Sequence, residues 1–468
     1  MKILATLFLG VLIFLGGCSM APKYTQPAAP VPSEWPQGEA YKVSSTPLER
    51  PAARELGWRD FFTDSRLQHV IQMALYNNRD LRLSVLNVER ARALYGVQSA
   101  ELLPTVDAVG TASKQRLASD SLRQGEPQTP EQYSLDLGIA AWEIDLFGRI
   151  RSLTEQALEE YLATDEARWG MQIALVSEVA RTYLTLAADL ETLKLARSTF
   201  KIQQAIYSII QRQCDTGVAT KLDLRRAQTQ VEIARGDIAR LMQVIAQDQN
   251  ALNLLVGSPV PENLMPMDLA DVNPTSEFFV GLSSTVLLTR PDIIAAEHRL
   301  KGAYAFIGAA RAAFFPRISL TTTIGTASDE FSGLFGAGNG TWNFAPQVIM
   351  PIFDARTWAA YRVSNAERDV AIAEYEKTIQ SAFKEVADAL AVRGTIGERV
   401  SAQQALTNAA ADTLRLSFQR YLKGIDSYLG VLDSQQTLYT AQQALISLHQ
   451  LKLVNEVQLY AVLGGGSY

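Results

Sequence analysis

Few residues of the chain have the types and spacing that chemistry at a metal or a substrate requires. The 468-residue sequence contains three histidines, His69, His298 and His449, and they share no motif. Metal sites need clustered ligands, and a lone histidine such as His298 is more often a paired or solvated side chain. Met265 and Met267 are weak evidence for copper, because two thioethers in a connector do not make a site. The sequence therefore predicts no metal, no cofactor and no enzyme.

One site of covalent modification is predicted near the amino terminus. The apolar run 3–15 is typical of a targeting signal and is too short to span a bilayer. The Leu-Gly-Gly-Cys that ends at Cys18 resembles the bacterial lipobox, whose cysteine is acylated, and Ser19 after it resembles the outer-membrane address. The alternative is an ordinary secretory signal with an incidental cysteine. We predict a signal peptide at 1–17 and a lipid on Cys18, which leaves Cys214 without a disulfide partner.

Composition narrows the possible partners. The net charge of −6 and the pI near 5.4, without a basic stripe, argue against binding to nucleic acid. Hydrophobic residues make up 47% of the chain, which is enough for a large core. After the signal there is no uninterrupted apolar run of about 18 residues, so any passage through a membrane is expected to be made by strands.

The two halves of the sequence repeat each other. Six residues between positions 80 and 104 recur 212 positions later, since 292 − 80 = 316 − 104 = 212. A repeat of this length indicates an ancient duplication. We predict a first structural repeat at 64–257 and a second at 285–463, each beginning with a helix. The six pairs are Asp80 and Asp292, Ala91 and Ala303, Ala93 and Ala305, Gly96 and Gly308, Ala100 and Ala312, and Pro104 and Pro316.

Each repeat contains two stretches in which apolar and polar residues alternate, as in a strand with one lipid face and one water face. In the second repeat, Ile318, Leu320 and Ile324 alternate with serine, threonine and glycine. We predict β-hairpins at about 102–143 and 314–352. Four aromatic residues would lie at the bilayer surface, or in the core if the strands form a soluble sandwich instead: Trp142, Phe331, Phe335 and Trp342.

An unusually long helix pair follows each hairpin, at about 149–257 and 355–463. The stretch 149–214 has no proline in 66 residues (214 − 149 + 1), which gives a helix of roughly 100 Å. Its apolar residues recur in a seven-residue pattern, so the helices are expected to wrap around neighbours. The predicted segments outside the repeats are a proline-rich, lipid-anchored strap at 18–63, a connector on the outer surface of the helix pairs at 258–284 and a tail at 464–468.

The number of strands predicts an oligomer. Four strands cannot close a barrel, and an open sheet edge in lipid leaves backbone groups unpaired at several kcal/mol each. Eight strands give a filled interior and more strands leave a water channel, so two chains would make a plug and three a conduit. The strands alone support a closed oligomer and leave its number open.

Several motifs resemble the TolC-type outer-membrane efflux proteins, and among them the lipoprotein branch typified by OprM. They are Arg-Pro-Asp-Ile at 290–293, Ala-Ala-Glu at 295–297, the run 307–316, Tyr-Leu-Lys-Gly at 421–424 and Leu-Asp-Ser-Gln at 432–435. The resemblance covers 18–468 and implies a mixed α and β membrane protein. The implied assembly is a homotrimer whose 12-stranded transmembrane β-barrel (3 × 4 strands) is continuous with a long α-helical periplasmic barrel. The implied partners are a periplasmic adaptor (membrane fusion) protein and an inner-membrane RND transporter.

The resemblance also implies a gate. In OprM-like proteins the residues matching Leu429 and Asp433 form inward rings at the periplasmic end, and those matching Arg420 and Tyr421 hold neighbouring helices shut. Leu429 and Asp433 are i and i+4, so they share a helix face, and three carboxylates would attract cations. Without the resemblance, Asp433 is simply a polar residue on a wet face. Arg226 takes its place in the first repeat (433 − 226 = 207), so we expect the second helix pair to supply the ring.

We therefore predict the outer-membrane channel of a tripartite efflux pump, a passive trimeric exit duct for drugs or other small toxic compounds. It would be anchored by lipid in the outer membrane of a Gram-negative bacterium and extend into the periplasm. The same architecture exporting metal ions or a secreted polypeptide is one alternative. A lipid-anchored coiled-coil scaffold without a pore is another. The sequence identifies neither the cargo nor the particular adaptor and pump.

Overall fold

Long helices and a single small sheet make up the protein. The computed structural model describes residues 19–41, 52–118, 127–269, 272 and 283–465. Within these ranges the mixed α and β composition predicted from the sequence is confirmed. The helices are α1 Trp58–Phe61, α2 Ser65–Asn77, α3 Arg79–Ala100, α4 Arg149–Asp215, α5 Lys221–Val256, α6 Pro291–Ala312, α7 Ala355–Leu422 and α8 Tyr428–Val462. The strands are β1 Val106–Lys114, β2 Glu131–Glu143, β3 Arg317–Ser328 and β4 Gly340–Ile349.

Both halves of the chain have the same order of elements. Helices α3 and α6 each have 22 residues, and their first residues are 212 positions apart (291 − 79 = 212). The long helices α4 and α7 have 67 and 68 residues, and the returning helices α5 and α8 have 36 and 35. The offset between matching residues of the sequence is therefore also the offset between matching helices.

Polar side chains decide where the helices near the start of the first repeat begin and end. The Asp64 carboxylate caps α2 by accepting from the backbone N–H of Arg66 at 2.7 Å. Asn78 ends α2 and caps α3, because its Oδ1 accepts from the N–H of Leu81 at 2.8 Å. The Asn78 amide also donates to the carbonyl of Leu255 at 2.8 Å, which ties this junction to the end of α5.

Contacts divide the chain into two compact units. Unit 1 comprises Met1–Ala28, Asn87–Asp165 and Ala295–Tyr375. Unit 2 comprises Ala29–Leu86, Glu166–Ile294 and Glu376–Tyr468. Each unit therefore contains segments of both sequence repeats.

In unit 1, the four strands form one antiparallel sheet in the order β1-β2-β3-β4. Residues in register share a face, so Leu137 lies beside Ile324 on β3, which in turn lies beside Trp342 on β4. A bulge between Ile139 and Trp142 contains Ala141 with a φ of 53°.

The predicted aromatic residues lie near these strands. Phe331, Phe335 and Trp342 are between 72% and 79% exposed in the chain, so they are not core residues as a soluble sandwich would require. Trp142 is partly buried and donates to the carbonyl of Leu102 at 3.3 Å.

The predicted strap is divided between the units at residue 28, and each of its described parts makes contacts within its own unit. In unit 1, Tyr24 donates to Glu297 on α6 at 3.2 Å, and Gln26 donates to Tyr375 on α7 at 3.1 Å. In unit 2, the side chain of Trp35 stacks on Phe383 with 5.3 Å between ring centroids.

In unit 2, the core follows the seven-residue pattern of α4. Tyr183 is fully buried, and its hydroxyl donates to the carbonyl of Leu264 in the described part of the connector at 3.2 Å. The other buried members of this pattern are Val176, Val179, Leu186 and Leu193. No helix in the described ranges is long and apolar enough to cross a membrane.

Candidate functional site

The candidate gate residues lie at two helix turns of unit 2 that have the same backbone geometry. Gly217 follows α4 with a φ of 77°, and Gly424 follows α7 with a φ of 72°. Val218 N donates to the carbonyl of Gln213 at 2.8 Å, and Ile425 N donates to that of Arg420 at 3.0 Å. Both turns are therefore Schellman motifs, which need a glycine in the left-handed conformation.

A small apolar cluster holds the four helices together beside these turns. Its buried members are Ile206 and Ile210 of α4, Ala227 of α5, and Tyr428, Val431 and Leu432 of α8. Helix α7 contributes partly buried residues, of which Tyr421 lies with its ring 5.5 Å from that of Tyr428. Burial in this cluster raises the pKa of Tyr421 above its usual value, and the charge of Asp223 adds to the shift.

Leu429 and Asp433 lie on the other face of α8 from this cluster. The side chain of Leu429 is 53% exposed, and Asp433 is also exposed. Within the described part of the chain, Asp433 forms no ion pair. The protein thus leaves an apolar and an acidic side chain on one uncovered helix face, as their i, i+4 spacing predicts.

Tyr421 links two of the long helices. Its hydroxyl donates to the amide oxygen of Gln213 on α4 at 2.9 Å. Both residues precede a turn glycine by a few positions, Gln213 before Gly217 and Tyr421 before Gly424. This hydrogen bond therefore joins the end of the first long helix to the end of the second.

Arg420 is held within its own turn. Its guanidinium donates two hydrogen bonds to the Asp426 carboxylate, at 2.6 and 2.9 Å. These bonds hold the pKa of the Asp426 carboxyl below its usual value and raise the pKa of Arg420. The pair joins the last turn of α7 to the turn that precedes Leu429.

After the first turn, the position that matches Asp433 is occupied by Arg226. Arg226 lies near Asp223 on the same helix, with 4.0 Å between Nη1 and Oδ1.

Sequence reasoning missed Gln213 and Asp426. Asp426 had a local signal, an acidic residue six positions after Arg420 across a glycine turn, whereas nothing in the sequence pairs Gln213 with Tyr421.

The remaining residues singled out from the sequence are not part of this site. Cys18 lies outside the described residues, and Cys214 is a partly exposed free thiol at the end of α4. His298 lies in unit 1, with its Nδ1 2.6 Å from the Glu159 carboxylate. Across the described ranges, no three His, Cys, Asp or Glu side chains are grouped as ligands for a metal.

Comparisons with known proteins agree with this geometry. A family model described as outer membrane efflux protein matches residues 70–258 and 282–465. The chain is 48% identical over 456 residues to the toluene efflux pump outer membrane protein TtgC of Pseudomonas putida, covering 97% of this chain and 94% of that relative. It is 40% identical over 464 residues to the outer membrane protein OprJ of Pseudomonas aeruginosa, with coverage of 97% and 94%.

Solved structures show the same fold. The open state of the Neisseria gonorrhoeae MtrE outer membrane channel matches with a TM-score of 0.85 at 37% identity, covering 96% of this chain and 98% of that one. The fold and its paired helix turns thus define the class, a mixed α and β outer-membrane channel of the TolC type. The chain belongs to the outer membrane efflux protein family. The predicted resemblance and fold class are confirmed, and the members of this family are transport proteins rather than enzymes.

Proposed function

We propose that three copies of this chain form a passive exit duct, the outer-membrane channel of a tripartite efflux pump. The observation that carries the proposal is the open sheet. Within the described ranges, β1 pairs only with β2, and β4 pairs only with β3, so each has one unpaired edge. In lipid those edges need partners, and β4 of one chain joined to β1 of the next supplies them. Three chains give 12 strands (3 × 4), which leaves a water-filled interior.

The duct carries drugs or other small toxic compounds. The relative TtgC is named a toluene efflux pump outer membrane protein, which supports this class of cargo. Its partners are a periplasmic adaptor protein and an inner-membrane RND transporter, and the energy for transport comes from the transporter. A lipid on Cys18 anchors the mature chain in the outer membrane, and the long helices extend into the periplasm.

The gate lies at the periplasmic end, where the second helix pair turns. Three copies of Leu429 and Asp433 narrow the aperture, while the Tyr421–Gln213 hydrogen bond and the Arg420–Asp426 pair hold the turn in its closed position. The exposure of Leu429 and Asp433 on a face away from the apolar cluster supports this role. Opening is a shift of packed helices between two arrangements and involves no covalent step.

The transport role is tested in cells that lack their own outer-membrane efflux channel but keep an adaptor and an RND pump. We expect the full-length chain to restore resistance to toluene and to amphiphilic antibiotics. Cells that carry the empty vector are the negative control. Sensitive cells with wild-type protein correctly inserted in the outer membrane would exclude the drug-efflux role.

The gate is tested on the purified protein in planar bilayers. Leu429→Ala combined with Asp433→Ala widens the aperture, so conductance per channel should rise severalfold. Lys423→Ala, an exposed change in the same turn, is the matched control. Unchanged conductance in the double variant would remove these two residues from the gate.

A further inference from the structure

The two faces of the sheet have opposite chemistry, and Asp136 lies in the middle of the polar face, which also carries Asp107 on β1 in register with Gly138. Asp136 on β2 is in register with Val109 on β1 and Gly325 on β3. Its chain neighbours Leu135 and Leu137 point to the other face, where they are 41% and 52% exposed. The polar face also carries Thr111, Ser113, Gln132, Ser134, Ser319, Thr321, Thr323, Asn343 and Gln347.

Gly325 makes room for the carboxylate. A Cβ atom on Gly325 would lie 2.4 Å from Oδ1 of Asp136, which is far inside van der Waals contact. The carboxylate therefore extends across β3 over the glycine instead of pointing straight out from its own strand. Any other residue at 325 would collide with this carboxylate and with the backbone of β2, because the same Cβ atom would lie 2.4 Å from the carbonyl oxygen of Leu135.

Hydroxyl groups on the same face orient this carboxylate without neutralising it. Ser134 Oγ donates to Oδ2 of Asp136 at 3.0 Å, and Thr111 Oγ1 lies 2.7 Å from Ser134 Oγ. Within the described ranges, no lysine, arginine or histidine forms an ion pair with Asp136. The Ser134 hydroxyl therefore holds the carboxylate in one position, and no cation in these ranges pairs with it.

The carboxylate at the last residue of β2, Glu143, is neutralised by neighbouring arginines. Glu143 pairs in register with Ser319, and its carboxylate binds Arg149 at 2.8 Å and Arg317 at 3.2 Å. The Glu143 carboxylate therefore has two cationic partners, whereas Asp136 has none within the described ranges. Asp136 is accordingly a source of negative potential in the middle of the polar face.

We propose that Asp136 is a selectivity-determining residue of the strand-lined part of the channel, where one copy from each chain makes a carboxylate ring that favours small cations over anions. This inference rests on the proposed trimeric duct, because a single chain encloses no axis. Rings of acidic side chains raise the local concentration of cations and exclude anions of similar size. The ring acts on permeating ions and is separate from the gate residues.

The test is the reversal potential of single channels in planar bilayers under a gradient of KCl. The full-length protein is measured as wild type and in the Leu429→Ala, Asp433→Ala background, which removes the acidic position proposed at the gate. Asp136→Asn keeps the shape and the acceptor for Ser134 but removes the charge. Glu330→Gln, in the exposed β3–β4 loop, removes the same charge outside the strands and is the matched control.

We expect the ratio of K⁺ to Cl⁻ permeability to fall about twofold or more in Asp136→Asn, and to change little in Glu330→Gln. Asp136→Lys should reverse the preference. The effect should shrink in 1 M salt, where the screening length falls to about 3 Å. An unchanged ratio in conducting Asp136→Asn channels would overturn this inference alone. Absence of conductance in the wild type and in the Leu429→Ala, Asp433→Ala background would instead overturn the proposed duct.

Discussion

Gly308 and Ala21 approach so closely that a Cβ atom on the glycine would lie 2.8 Å from the Ala21 nitrogen, and the same atom would lie 2.6 Å from Ser152 Oγ on α4. The amino-terminal segment follows one stripe of α6, with Met20 accepting a hydrogen bond from Arg311 at 3.3 Å and Tyr24 contacting Tyr304 edge to face. Gly308 is the point at which this segment crosses the helix.

Substitution of Gly308 by alanine should release the amino-terminal segment, although alanine favours helix by about 1 kcal/mol. We expect trypsin to cut after the exposed Lys23 several times faster than in the wild type, while the helical content is unchanged. The measurement is limited proteolysis of the full-length protein in detergent, followed by mass spectrometry.

Gly96 provides the matched control, because it is the equivalent glycine of the first repeat (308 − 96 = 212) and nothing lies within 4 Å of a Cβ atom built on it. Gly96→Ala should leave the cleavage rate unchanged. Equal rates in Gly308→Ala and the wild type would show that the glycine does not seat this segment.

Loss of the hydrogen bond between Tyr421 and Gln213 should loosen the proposed gate. Tyr421→Phe removes the donor and keeps the ring packed on Tyr428, so the apolar cluster survives. We expect longer open times in planar bilayers, and a similar change in Gln213→Ala. Because both variants remove the same bond, the double variant should add little to either one. Fully additive effects would mean that the two residues act separately.

Stability should depend on pH through a pair of carboxyl groups in unit 2. Burial raises the pKa of Asp248 on α5 to about 6, and the neighbouring Asp189 carboxyl on α4 adds to the shift. Asp248 lines a cavity of about 460 Å³, which is also lined by Glu178, Arg181 and Gln450. Because the folded state holds this proton more tightly, the stabilisation is complete below about pH 4 and is lost as the pH rises through about 6.

Asp248→Asn should therefore be more stable than the wild type at pH 7.5 and lose that advantage as the pH falls to about 4. The difference should be about 1 kcal/mol after allowance for the partial exposure of the pair, or about 1–2 °C in melting temperature. Circular dichroism melts at the two pH values measure it. If the stability of the wild type and of Asp248→Asn changes with pH in the same way, the Asp248 carboxyl is not the cause.

Arg290 should be among the most important polar residues for stability. Its largely buried guanidinium binds Asp292, Glu385 and the carbonyl of Val462, which it meets at 2.8 Å near the end of α8. Arg290→Met leaves these acceptors unpaired and should cost about 2–3 kcal/mol in the free energy of unfolding. Urea titration followed by circular dichroism measures the loss.

The arginine of an exposed pair gives the control for that measurement. Arg356 binds Asp354 two positions away with similar geometry, but its side chain is 91% exposed. Arg356→Met should leave the urea midpoint unchanged, because solvent replaces the ion pair. Similar losses at both positions would show that burial of the Arg290 guanidinium is not the cause.

Periodic features of the fold are readable from the sequence, because burial imposes them residue by residue. The alternation around Ile318–Ile324 and the seven-residue pattern through Tyr183 each record which side of an element meets apolar surroundings. Contacts between distant residues leave no such record. Gln213 and Tyr421 are 208 positions apart, and nothing in either neighbourhood specifies the other. The same holds for Gly308 and Ala21, although the repeat marks Gly308 itself.

Single-channel current from the purified full-length protein tests the central claim most directly. If chains join their open sheet edges around a water-filled axis, the protein inserted in a planar bilayer should give discrete, ohmic conductance steps, and the Leu429→Ala, Asp433→Ala variant should give larger ones. A folded protein that inserts in the bilayer and carries no current, in wild type and variant alike, would contradict the account.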